Sequence, residues 1–106
     1  MGTTRAATWR LWVACFAASA ALYLATCQRG ASWQDSGQHQ WRVRTGQWDH
    51  ELGLALAHPL HIAAGRALLA VPLGTPETRL NALSGVGMAV ALANLACLGA
   101  ALTGRR

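Results

Sequence analysis

The sequence has no lysine, one phenylalanine, one tyrosine and only four acidic residues in 106. Charged residues make up 12% of the chain, about half the share of an ordinary soluble domain. So little charge excludes an intrinsically disordered chain, which combines weak hydrophobicity with many charges. All nine basic residues are arginines, for a net charge of +5, but they are dispersed. No basic stripe of the kind a nucleic-acid module needs is present, so no nucleic-acid partner is expected. Three cysteines are an odd number and too few for a disulfide scaffold. There is no internal repeat and no low-complexity linker. The length fits one domain at most.

What the chain does have is long apolar runs. Leu11 to Cys27 and Leu80 to Gly104 carry no charge. A bilayer core is crossed by roughly 20 helical residues. The first run reaches that length if Trp9 and Trp12 lie at the interface, where indoles prefer to be. The composition therefore implies an all-α membrane protein with two spans, 9–27 and 80–104, around a loop, 28–79. Arg5 and Arg10 precede the first span, and Arg105 and Arg106 follow the second, with no acid beside either pair. The positive-inside rule then puts both termini in the cytoplasm and the loop outside, as in a bacterial inner membrane.

A basic start followed by an apolar run also fits a signal peptide. Ala18-Ser19-Ala20 resembles a cleavage site but lies inside the run. Leu24-Ala25-Thr26-Cys27 is a near miss to a lipoprotein box, with Thr where a smaller residue is usual. The run is also longer than a typical signal core, so an uncleaved anchor is expected.

The loop divides in three. Residues 31–46 are polar and rich in Gln, Trp and Arg, and 47–57 turn apolar. Residues 59–71 read as a short interfacial helix opened by Pro59 and ended by Pro72 and Gly74. Its apolar stripe is Leu60, Ala63, Ala64, Ala67, Leu68 and Val71. Thr75-Pro76-Glu77 reads as a helix start, with a capping hydroxyl, a proline and an acid in the first turn. Within the spans, small residues recur at every third or fourth position: Ala14, Ala18, Ala21 and Ala25 in the first, and Gly85, Ala89, Ala93, Cys97 and Ala101 in the second. Such faces let helices approach closely in lipid. Asn94, deep in the second span, calls for an interhelical hydrogen bond.

Chemistry can reside in few places. Asp35, in Trp33-Gln34-Asp35-Ser36-Gly37-Gln38, lies shortly after the first span. A carboxylate there can hold a divalent cation or act as general base; the same residues also suit a turn in which Asp caps a helix. His58 and His61 do not have the spacing of a metal pair, and no metal site is expected. Arg42, Arg44, Arg66 and Arg79 can each fork onto a phosphate or simply meet lipid headgroups. Arg66, inside an apolar helix, and His58 are the candidates for phosphate binding.

The order of these features resembles the N-terminal region of a polytopic membrane family long labelled a domain of unknown function, linked to protein O-mannosylation and grouped with the GT-C glycosyltransferases. After the first span that family reads D-S-G-E, then L-G, H-P, P-L, G-R, P-L-G and R-x-N-x-x-S. Here stand Asp35-Ser36-Gly37-Gln38, Leu52-Gly53, His58-Pro59-Leu60, Gly65-Arg66, Pro72-Leu73-Gly74 and Arg79-Leu80-Asn81-Ala82-Leu83-Ser84. The resemblance covers residues 20–90. It implies a partial GT-C-like fold and transfer of a sugar from a polyprenyl-phosphate donor to an acceptor outside the cytoplasm. It also implies Asp35 at the catalytic centre, with Asp49 as second candidate. Two departures stand out: Gln38 replaces the family's Glu, and the family's H-P-P-G-Y-P is reduced to His58-Pro59-Leu60-His61. Two spans cannot enclose a long lipid donor, so the expectation is a module inactive alone that completes its site with a partner membrane chain. The alternative is a small non-enzymatic membrane protein that associates with another.

The topology can be tested by labelling. With the native cysteines removed, an impermeant thiol reagent on intact cells should label a cysteine placed at Gly46. It should fail at Thr4 and Arg106; labelling at Thr4 contradicts the orientation.

Overall fold

The computed structural model describes residues 2–51, 53 and 57–104, with side chains from Arg5 onward. Leu52 and the terminal Arg105–Arg106 lie outside the described residues. The described residues are helical or irregular, with no strand among them. The helices are α1 (Gly2–Thr26), α2 (Gln34–Thr45), α3 (Pro59–Leu69) and α4 (Pro76–Leu102). Arg5–Thr26 and Pro76–Leu102 are long and apolar enough to cross a membrane. The chain forms two units, Met1–Cys27 with Ser84–Arg106, and Gln28–Leu83.

In the first unit α1 and the later part of α4 run antiparallel. Tyr23 meets Gly85, Trp12 Nε1 donates to Asn94 Oδ1 at 2.8 Å, and the Cys97 thiol approaches the Thr8 carbonyl at 3.6 Å. Asn94 thus has the interhelical partner its depth demanded. Ala89 and Ala93 are fully buried, so the small face of α4 is the packing face. The small face of α1 is not: Ala14, Ala18, Ala21 and Ala25 are all exposed. Instead α1 turns Trp12, Phe16, Ser19, Ala20 and Tyr23 inward. Large side chains of α1 fill the groove left by the small ones of α4. Trp9, Trp12 and Phe16 stack successively, with ring centres 5.5 and 5.1 Å apart. Cys15, Cys27 and Cys97 are all free thiols.

The second unit has a small core of Val43 from α2, Ile62 from α3 and Leu80 from α4, with Leu69 beside it. Gly65 makes this packing possible. A β-carbon there would fall 2.8 Å from Val43 Cγ2 and 2.9 Å from Leu80 Cδ2. The packing face of α3 is therefore Ile62–Gly65–Leu69. In the stripe of larger apolar count, Leu60, Ala63 and Ala67 are exposed and Ala64, Leu68 and Val71 are half-buried. Hydrophobic count alone favoured the wrong face because the glycine carries no hydrophobic signal.

Helix ends follow their local chemistry. Thr75 Oγ1 accepts from the Thr78 amide at 3.2 Å, the cap expected for α4. The polar stretch 31–46 contains α2, with Asp35 in its first turn and Arg42 and Arg44 in its last. That charge order, acid first and base last, is the one the helix dipole favours. A part-buried network centred on Gln40 ties α2 to the segment before it and to α4. Gln40 accepts from the Ser32 amide at 2.9 Å and donates to Asn81 Oδ1 at 2.8 Å, while Asn81 Nδ2 donates to the Gln28 carbonyl at 2.6 Å.

Replacing Gly65 with Ala should destabilise the protein in detergent by about 1–3 kcal/mol, the usual cost of overpacking. Gly87→Ala meets nothing within 4 Å and should change stability by less than about 0.5 kcal/mol. Equal shifts in the two thermal midpoints would contradict this packing.

Candidate functional site

The candidate residues lie in the second unit. Asp35 is exposed in the first turn of α2. The residue before the helix is Trp33, and no side chain caps it. Asp35 is thus not a cap, and among the described residues its carboxylate has no hydrogen bond or ion pair. Gly37, two residues on, has a plain structural reason: a β-carbon there would collide with the Ser32 carbonyl. Gln38 is exposed, and Asp49 is exposed after α2.

The four loop arginines divide by use. Arg44 forms an ion pair with Glu77 at 2.6 Å. Arg66 Nη1 donates to the Val43 carbonyl at 3.2 Å, near the end of α2, where carbonyls lack helical partners. Arg79 Nη1 does the same for α3, donating to Leu68 at 3.2 Å, Leu69 at 2.9 Å, and Val71. The phosphate candidate Arg66 therefore has a capping role, with its side chain exposed.

Arg42 differs. It is 1% exposed, and its Nη2 donates to the carbonyls of Trp48 and Ala57, both at 2.9 Å. Its Nε and Nη1 are buried without partners. Nothing in the local sequence distinguishes Arg42 from Arg44; burial comes from their positions on α2, Arg42 on the covered side and Arg44 on the open one.

Asp35, His39 and Arg42 occupy one stripe of α2, spaced four and three residues apart. The His58 ring packs edge-on against His39 with centres 4.9 Å apart, and His61 lies at 5.7 Å. The contact of His39 with His58 and His61 is not legible in the sequence, because they lie far apart along it. His58 is the N-terminal cap residue of α3 with φ 49. That left-handed conformation is disfavoured for a side chain with a Cβ and before proline. The His39 Nδ1 is buried and unpartnered. Burial holds the His39 and His61 pKa values below 6.5, helped at His39 by the charges of His58, His61 and Arg42 and opposed by Asp35. No group of three or more His, Cys, Asp or Glu among the described residues can hold a metal ion.

A depressed histidine pKa means the unfolded chain binds protons more readily than the folded one. The contribution is therefore complete above the unfolded value near 6.5 and is lost as pH falls through the lowered values. The thermal midpoint, measured in phosphate-free buffer, should drop on going from about pH 7.5 to pH 5.5. His39→Gln should reduce that drop; a drop unaltered in the variant would contradict the assignment.

No protein-family model, curated protein or solved structure matches this chain.

Proposed function

We propose that this chain is a membrane module of a GT-C-like glycosyltransferase related to the protein O-mannosyltransferases. It acts with a partner membrane chain on a polyprenyl-phosphate sugar and an extracytoplasmic acceptor. The observation that carries the reading is the free carboxylate of Asp35 on the stripe that continues to His39 and Arg42. Such a stripe sets a base for the acceptor beside positive charge for a phosphate. The order of D-S-G-Q, H-P-L, G-R, P-L-G and R-L-N-A-L-S along the chain supplies the family.

In this reading the chain lies in a bacterial inner membrane with both termini cytoplasmic and residues 28–79 outside. Trp33, Leu60 and Leu73 are 89%, 82% and 69% exposed, which suits a unit resting on the membrane interface. Asp35 takes the acceptor's proton or orients a divalent cation. His58, at the start of α3, and Arg66, within it, are the candidates for the donor phosphate, and Asp49 is the second acid. The module is inactive alone, because two spans do not surround a long lipid.

A second reading, a non-enzymatic protein bound to another membrane protein, is favoured by one observation. Between α1 and α4 runs an open-sided groove of about 990 Å³, lined by Trp9, Trp12, Cys97 and Ala101 among others. The two readings differ in what Asp35 does.

Asp35→Asn keeps size and removes charge. Sugar transfer by the chain reconstituted with its partner should fall about a hundredfold or more, the scale for losing a general base. Asp49→Asn should have a smaller effect. Unchanged transfer in the Asp35 variant would remove the catalytic assignment.

A further inference from the structure

We infer that His39, His58, His61 and Arg42 form a seat for one phosphate-ester group, carried by a lipid headgroup or by a free phosphate. An arginine has five N–H donors. Arg42 uses two, on the Trp48 and Ala57 carbonyls, and leaves three unpaired on Nε and Nη1 in a side chain that is 1% exposed. Its charge cannot be shed by deprotonation, and no carboxylate pairs with it among the described residues. A buried cation without a counter-charge is costly. One turn away on the same stripe, the His39 Nδ1 is also buried and unpaired. His58 and His61 bring two more basic rings from α3 against His39. Three basic groups, His58, His61 and Arg42, thus act on His39, whose Nδ1 is unpaired.

The missing partner is an anion. A cation would be repelled by the fixed charge of Arg42, and the histidines have no metal-holding arrangement. Among anions, a phosphate ester matches donors that arrive from two helices, since it accepts hydrogen bonds in several directions and carries up to two charges. His58 is the exposed member of the four and Arg42 the buried one. The left-handed backbone of His58 is the kind of strained conformation that recurs at ligand clamps. The charged groups acting on His39 are Asp35, which favours its proton, and His58, His61 and Arg42, which oppose it. A bound phosphate reverses that balance and draws protons onto the histidines. The seat deepens the function proposed above and rests on it only for naming the carrier a lipid-linked sugar.

The test is histidine-ring NMR of the full chain, in detergent with inorganic phosphate and in nanodiscs with or without phosphatidic acid. Sodium chloride at equal ionic strength is the control. The expected result is that phosphate, and not chloride, shifts the His39, His58 and His61 resonances and raises the lowered pKa values of His39 and His61. Binding should be tighter near pH 6 than near pH 8 by about tenfold or more. Response to inorganic phosphate alone identifies a free-phosphate seat, and response to phosphatidic acid alone a headgroup seat. His58→Gln, at an exposed position, should weaken binding about tenfold without unfolding the chain; Arg42→Met should abolish it. Histidine resonances unmoved by both probes, or moved equally by chloride, would overturn the seat. If phosphate binds as expected while the reconstituted pair transfers no sugar, the seat stands and the transferase reading falls.

Discussion

Everything outside the two long helices depends on arginine side chains bonded to main-chain carbonyls. The core of the Gln28–Leu83 unit is Val43, Ile62 and Leu80, far too little apolar burial to order more than fifty residues unaided. Arg66 closes the end of α2, Arg79 the end of α3, and Arg42 joins Trp48 to Ala57. These bonds hold carbonyls at helix ends and in the loop, and each is a charge-assisted bond, stronger than a neutral one. A chain without lysine suits this use. The guanidinium fork reaches several carbonyls at once, as Arg79 does, whereas an ammonium acts as a point charge.

The first unit solves a different problem. In lipid there is little hydrophobic gain when helices meet, so shape and a few polar bonds decide the pairing. Tyr23 against Gly85 supplies the shape, and Trp12 with Asn94 the polar bond. The exposed alanine face of α1 and the open groove beside Trp9 and Cys97 leave surface for lipid or for further helices.

Much of this was legible in the sequence, and the rest was hidden for definite reasons. Charge-free runs located α1 and α4, Pro59 opened α3, and Thr75 capped α4, because each signal is local. The Asn94 bond followed from the cost of a lone amide in lipid. Packing faces were harder. The outward turn of Leu60 and of Ala14–Ala25 follows from what the neighbouring helix offers, which periodicity does not record. Gly65 and Gly37 matter through atoms they lack. The stripe from Asp35 to Arg42, with His58 and His61 beside it, depends on α2 meeting α3. Asp35 itself was singled out in advance; the buried state of Arg42 was not.

The most direct measurement is amide hydrogen exchange of the protein in lipid nanodiscs. If arginine-capped helices order the segment between the spans, amides of α2 and α3 will exchange at least about a hundredfold more slowly than an unstructured chain. Arg79→Gln will release α3 while α1 stays protected. Exchange of residues 34–45 and 59–69 at random-coil rates would contradict the account, because neither the histidine seat nor the placement of Asp35 survives without those helices.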